Sequence, residues 1–332
     1  MSGRHRASET TQGHPIAHPI ASSSENASPL VDDQNRQLGL TNDGAHTGTT
    51  QPHSTSGRQR VTTADLEKIR QSLSDRNYAI LRSVFEHRFL TVGQIEVLHF
   101  ANHATISGPR IARRVLAQLR DLRLLGALDR RIGGIYAGSQ GLVHYVDVVG
   151  DRILHDRSGR SSHRPYEPTD KFVRHTLAVA DARVALVAAH RAQQIELTDS
   201  SVEPASWRTF TGTGGARLTL KPDLYAETTT APGSELVTAW FLEIDLGTES
   251  IPTLLRKCRD YEAYRRSGIE QDRHGSFPLV IWSMTHQDPA KARRRRDAFN
   301  DAIATDRTLT NELFRIVAPE QLLPLIQWGA TR

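Results

Sequence analysis

From residue 62 onward the chain alternates between apolar patterns of helical and of strand period, while residues 1–60 hold few large apolar side chains and many Ser, Thr, Gly, His, Gln and Asn. A segment of that composition cannot bury enough surface to offset the entropy of ordering it, so residues 1–60 read as a disordered tail. Its scattered histidines have no metal-ligand spacing. Helical spacing starts with Thr63, read as the cap of a helix over Ala64 to Leu73. Ser74 or Asp75 caps a second helix, whose Leu81, Val84 and Phe85 make an apolar stripe. Thr91 opens a short helix through Gln94, Ile95, Val97 and Leu98, and Ser107-Gly-Pro opens a longer one, from Arg110 to Leu125, ended by Gly126.

On this last helix Ile111, Val115, Leu119 and Leu122 recur at helical spacing and turn one face inward. Arg110, Arg113 and Arg120 fall on another face, with Arg114 beside them. The following stretch, Ala127 to Tyr136, alternates about Gly133-Gly134 as a hairpin does. Three helices followed by a hairpin describe a winged helix-turn-helix domain over residues 61–155. In such a module the basic helix lies in the major groove, while wing residues, here Arg130 and Arg131, approach phosphates or the minor groove. The blander reading is a solvated helix whose arginine stems cover the core.

Residues 156–170 are polar, contain Pro165 and Pro168, and read as a linker. A second domain follows over 171–328. It begins with a helix from Phe172 to His190, on which His175 and Asp181 lie near the apolar stripe; burial of the histidine in a satisfied setting, or pairing with Arg174 or Arg183, is the simpler reading of both. Strands are expected over Glu196 to Phe210, Arg217 to Glu227 and Leu236 to Leu246, then a helix from Ser250 to Arg266, a strand over Phe277 to Trp282, a basic helix from Pro289 to Thr305, and a strand over Leu313 to Val317. The glycines of Thr211 to Gly215 lack the Lys-Ser or Lys-Thr that closes a phosphate loop, and read as a hairpin. The whole is an α+β chain in which the second domain has a mixed central sheet.

Charge sharpens this picture. The formal net charge is +5, and the tail contributes none of it, since its five Arg balance five Asp or Glu. From Ser107 to Arg131 seven Arg stand against two Asp, a local footprint suited to a polyanion. Arg293 to Arg296 is a second basic run, equally suited to solvent or to phosphate. The single cysteine, Cys258, cannot form an internal disulfide, which favours a cytoplasmic protein. No apolar run reaches the length of a membrane span, and no membrane insertion is expected.

Two apolar segments carry carboxylates where a buried strand normally carries none: Leu220 to Glu227, with Asp223, and Ala239 to Ser250, with Glu243 and Asp245. The three acids could converge at the ends of neighbouring strands and hold a hard divalent cation. With Asp223 entering from one strand and Glu243-Ile-Asp245 from the next, the order of elements resembles the core of the PD-(D/E)XK nuclease superfamily, a restriction-endonuclease-like α/β fold. Pro222-Asp223 matches its PD element. The resemblance implies that Asp223 and Glu243 hold magnesium or manganese and that a lysine neutralises charge developing at the phosphate. Asp245 stands in that lysine's slot. Lys257, on the following helix and four residues before Tyr261, would supply the cation instead, as in members that have moved it there. The competing reading keeps the acids for structure, with Asp245 capping Gly247-Thr248 or pairing with Arg256.

Over most of the folded part, Arg76 to Trp328, the chain resembles the replication-relaxation family, on Arg88 to Gln94, Arg113 to Gly126, His175 to Asp181, Leu220 to Asp223, and Phe241 to Glu249 with Lys257 and Tyr261. The resemblance implies a protein of plasmid or mobile-element replication and DNA relaxation that binds double-stranded DNA, an initiator or relaxosome accessory whose partners include a relaxase or another replication protein. Two alternatives stand beside it: a magnesium-dependent DNA nickase or endonuclease using Asp223, Glu243 and Lys257, and a winged-helix transcription regulator.

Overall fold

The computed structural model describes residues 61–103, 107–128, 141–155, 168–212, 214–229 and 236–329. The tail over 1–60, the hairpin tip at Gly133-Gly134 and the arginines 130 and 131 lie outside them, as does most of the linker over 156–170. Every described residue belongs to one unit, Gln59–Arg332, of mixed α and β structure.

The first elements are short and strongly capped. Helix α1 (Thr63–Ser72) is capped by Thr62, one residue before the expected cap: the Thr62 N–H donates to the Asp65 carboxylate at 3.0 Å and the Asp65 N–H donates to the Thr62 hydroxyl at 3.2 Å. Helix α2 (Asp75–His87) is capped by Ser74. Strand β1 (Leu90–Thr91) leads into α3 (Val92–His99), where Thr91 and Gln94 cap each other in the same reciprocal way. Then come α4 (Gly108–Asp121), β2 (Leu125–Ala127), β3 (Val143–Val146) and α5 (Val148–Leu154). Strand β3 lies between β1 and β2, antiparallel to both.

Helix α4 is shorter than its apolar spacing suggests. It is capped at Leu122, and Arg123 takes the left-handed turn at φ 58°. Gly126, expected to end the helix, lies in β2 instead. A Cβ there would sit 2.3 Å from the Tyr145 ring, so the glycine is needed for close approach of β3. Ile80, Leu81, Val84, Ile95, Leu116 and Leu119 fill the core beneath, all essentially inaccessible to water. Each such side chain contributes about 1.5–3 kcal/mol from burial.

The longer second part opens with α6 (Asp170–Arg191) and β4 (Glu196–Val202), followed by a separate hairpin of β5 (Arg208–Thr211) and β6 (Arg217–Leu220). It continues through β7 (Leu224–Thr229), β8 (Val237–Asp245), α7 (Ile251–Arg266), α8 (Ile269–His274), β9 (Leu279–Met284), α9 (Pro289–Thr305), β10 (Phe314–Val317) and α10 (Leu322–Trp328). The central sheet runs β10-β9-β8-β7-β4, with β7 antiparallel to both β4 and β8 and β9 parallel to both β8 and β10. Side chains of α6 and α10 pack with Leu224, Trp240, Leu242 and Ile281 on one face, and those of α7 and α9 with Tyr225, Phe241, Val280 and Trp282 on the other.

Two expected strands are each cut in two. Arg217 to Glu227 breaks at Lys221-Pro222-Asp223, since Pro222 has no N–H for a sheet ladder. Glu196 to Phe210 breaks at 203–206, where Ser206 donates its hydroxyl to the Pro222 carbonyl at 2.5 Å. The two breaks lie side by side and peel the β5–β6 hairpin away from the central sheet. Helices α8 and α10 carried no periodic signal long enough to announce them.

Helix α6 serves both parts. Its Ala180 belongs to the core under α2 and α3. The buried Gln94 amide donates to the Leu177 carbonyl at 2.9 Å and to Asp181 at 2.6 Å, and Arg183 donates to Glu86 at 2.9 Å. Near the end of α6, Arg191 donates to the carbonyls of Val97 and Leu98. Among the described residues no helix is long and apolar enough to cross a membrane.

Candidate functional site

The register of the central sheet builds the site. Val202 pairs with Leu224, and Leu224 with Leu242, so the next position along brings Glu203, Asp223 and Glu243 to one end of three adjacent strands. The Glu203 N–H donates to the Asp223 carbonyl at 3.3 Å, tying the two breaks together. Asp223 is 4% exposed; one carboxylate oxygen accepts the Ile244 N–H at 2.7 Å and the other lies 3.1 Å from His175 Nε2. Glu243, 2% exposed, accepts the Tyr261 hydroxyl at 2.6 Å on one oxygen and Lys257 Nζ at 3.4 Å on the other. Lys257 and Tyr261 reach it together because residues four apart share a helical face. The ammonium also stands 3.4 Å from Glu249 Oε2.

The acids and bases here shift one another. Burial pushes the Glu243 carboxyl up to about 8, the negative Asp223 adds to that, and Lys257 and the Tyr261 hydroxyl hold it back. Burial opposes the His175 imidazolium, but the hydrogen bond and charge of Asp223 outweigh it and raise its pKa. Glu203 is raised by burial and then by Asp223, with Arg88 acting against both. Burial likewise opposes the Lys257 ammonium, and Glu243, Asp223 and Glu249 overcome it, so the amine stays charged. A group of perturbed acids and bases at the end of a sheet marks a candidate functional site.

Asp245 stands apart from this group. Arg295 of α9 clamps it with two hydrogen bonds, at 2.6 and 3.1 Å, and also donates to the Glu249 carbonyl. Asp245 therefore pairs with Arg295 and not with Arg256, and it is not the third carboxylate beside Asp223 and Glu243. Among the described residues no three His, Cys, Asp or Glu side chains gather into a metal-holding group. What remains is the adjoining pair Asp223 and Glu243, whose oxygens each accept one hydrogen bond and keep a further lone pair. Magnesium takes one or two carboxylates and completes its shell from waters and substrate phosphates. The pair fits that mode of binding; the cage of Asp223, Glu243 and Asp245 expected from sequence does not form.

His175, singled out in the sequence as a histidine in a satisfied setting, finds its partner in Asp223, but two other residues at this end of the sheet gave no sign of a place in the site. Glu203 sits in the break between β4 and β5, where its spacing predicts continuous strand, and Arg88 comes from the end of α2, 3.6 Å from Glu203. Asp181, by contrast, is a structural partner of Gln94.

A separate feature is the outer face of α4. Arg110, Arg113 and Arg114 are exposed and take part in no ion pair among the described residues, while Ala112, Leu116 and Leu119 on the opposite side are buried. Arg120 leaves that face: half-buried, it donates to His144 Nε2 at 3.0 Å. His144 is fully buried, and burial first, then the charge of Arg120, push its pKa down to about 4. The basic run on α9 divides similarly. Arg295 holds Asp245 and Arg296 donates to the Met284 carbonyl at 3.1 Å, leaving Arg293 and Arg294 exposed.

A family model described as replication-relaxation matches residues 81–280, more than half of the chain. No curated protein matches, and neither does any solved structure.

Proposed function

The chain belongs to the replication-relaxation family, and from that premise we propose that it is a double-stranded DNA-binding protein of plasmid or mobile-element replication and relaxation, acting as initiator or relaxosome accessory beside a relaxase or another replication protein. In this reading α2, β1, α3, α4, β2 and β3 make a winged helix-turn-helix, and α4 enters the major groove. The order of those elements, with β3 between β1 and β2, supports it. The observation that carries it is the set Arg110, Arg113 and Arg114: three exposed side chains with no ion-pair partner among the described residues, on the face of α4 turned away from the core. Fixed cations on a rigid helix release condensed counter-ions when they meet DNA, which makes affinity steeply salt-dependent.

The test is a salt titration of binding to duplex DNA. Replacing the three arginines by Ala should lower affinity by about 1 kcal/mol or more for each and reduce the slope of log K against log salt by roughly 2–3. Binding that ignores salt, or that the triple variant leaves untouched, would sink the reading.

A second reading, a metal-dependent DNA nickase in a nuclease-like second domain, is favoured by one observation: Lys257 stands beside Glu243 although Asp245 occupies the usual lysine slot. Asp223 and Glu243 would hold magnesium or manganese, which when bound polarises a phosphate and lowers the pKa of water. The chain's own part is to orient and neutralise. The Ile244 N–H fixes the Asp223 carboxylate, the Tyr261 hydroxyl fixes that of Glu243, and Lys257 offers a charged ammonium to the phosphate. Supercoiled plasmid incubated with magnesium or manganese should be relaxed by the protein and left intact by Asp223→Ala; equal product from both would exclude this reading.

A further inference from the structure

Arg88 is the C-cap of α2 and has an unusual backbone, φ 64° and ψ −44°. The Phe89 N–H donates to the His87 carbonyl at 2.7 Å, closing a three-residue γ-turn of the kind that is rare and strained for any residue but glycine. The turn directs the side chain into a cleft that Phe172, His175, Glu203 and Asp223 also line. There the guanidinium lies over the Phe172 ring, 5.7 Å from its centroid, and 3.6 Å from one Glu203 oxygen. That separation is longer than a hydrogen bond, and both side chains are about one-third exposed, 35% and 32%. Among the described residues the guanidinium donates no hydrogen bond, so its five N–H groups are free for another acceptor. An ion pair this loose, with both side chains about one-third exposed, contributes too little to offset the strain of the turn.

We propose that Arg88 is a phosphate-holding residue of the candidate site: when a DNA strand reaches the cleft, the guanidinium leaves Glu203 and takes the non-bridging oxygens of a backbone phosphate. Its planar fork matches those oxygens two at a time, and the Phe172 ring supports its plane. Glu203 serves as the resting partner, and as an anion it competes with the phosphate. Because Arg88 ends the helix next to α3 and β1, it links the DNA-binding elements to the Asp223 and Glu243 end of the sheet. This inference rests on the DNA-binding reading and gives the candidate site its first substrate contact.

The full chain is titrated by fluorescence anisotropy with a labelled duplex of about 30 base pairs, roughly 100 Å long. Arg88→Ala should weaken binding about tenfold and lower the salt slope by roughly one. Arg88→Gly should weaken binding equally while keeping or raising the melting temperature, because glycine adopts the turn without strain. Glu203→Gln should tighten binding by freeing the guanidinium. A merely structural Arg88 gives the opposite pattern: Gly lowers the melting temperature without changing affinity, and Glu203→Gln never tightens. Either result overturns the proposal; where Gly lowers both, the sign of the Glu203→Gln effect decides. The variant with Arg110, Arg113 and Arg114 changed to Ala is measured beside these. If it weakens binding and the Arg88 variants do not, only the Arg88 inference fails. If it binds like wild type while the Arg88 variants weaken, the role of α4 fails instead, and if wild type does not bind, both fall.

Discussion

The two parts of the molecule bury polar groups of opposite kind. Under α1 to α5 the buried polar side chains are His87, Thr91, Gln94 and His144, and burial keeps both histidines neutral, with pKa values pushed down to about 4. Under the central sheet they include five acids, Asp223, Glu243, Asp245, Glu262 and Glu270, each held by a hydroxyl, an N–H or a cation. The first part keeps its interior neutral and presents its charge outward on α4, where it attracts a polyanion at long range but adds little to stability. The second carries charge inside, where the low dielectric strengthens each interaction and makes every unpaired group costly. The exposed arginines of α4 should therefore be removable at little cost to folding, and residues near the carboxylates should not.

The largest expected effect breaks the buried pair. Asp245→Ala leaves Arg295, 16% exposed, without its anion, and should cost about 3–5 kcal/mol in denaturant unfolding. The double variant Asp245→Ala with Arg295→Met should recover most of that, since it removes the stranded charge. A single variant within about 0.5 kcal/mol of wild type would remove the contrast between the two interiors.

Acidity separates the parts next. His87 and His144 titrate near 4 when folded and near 6.5 when unfolded, so the unfolded chain binds more protons between those values. Their neutral burial is fully tolerated above pH 6.5 and penalises folding progressively down to pH 4, on the order of 3 kcal/mol for each histidine. Glu243 has the other sign: its folded pKa of about 8 lies above 4.5, so stability falls as pH rises from 4.5 to 8. Urea midpoints against pH should show both limbs, with His144→Gln flattening the acid limb and Glu243→Gln the alkaline one. The smallest effect belongs to α4. Changing Arg110, Arg113 and Arg114 to Ala should move unfolding stability by less than about 0.5 kcal/mol while DNA affinity drops.

What could be read from the chain alone follows the same division. Amphipathic spacing is local, so the stripe Ile111, Val115, Leu119 and Leu122 against Arg113 and Arg114 separated the two sides of α4, although the most deeply buried positions are Ala112, Leu116 and Leu119, and Ser74 and Thr91 marked true helix starts. Arg120 misled because the helical wheel says nothing about β3, whose His144 takes its donor. At the candidate site the unusual carboxylates in apolar strands stood out, as did the four-residue spacing of Lys257 and Tyr261. The partners that give them meaning lie far off along the chain: Asp223 is 48 residues from His175, and Asp245 is 50 from Arg295.

The sequence by itself determined where α2 and α3 begin, that α4 has an apolar and a basic side, that Asp223 and Glu243 are buried acids needing a reason, and that Lys257 and Tyr261 share one helix face. Those properties depend on neighbours within a few residues, and period and capping chemistry report them. Only the tertiary structure decided that Asp245 belongs to Arg295, that His175, Glu203 and Arg88 meet at Asp223, and that α6 packs with both parts. Sheet register and helix docking bring together residues dozens of positions apart, and no local pattern encodes which of several possible acids, bases or cations will arrive.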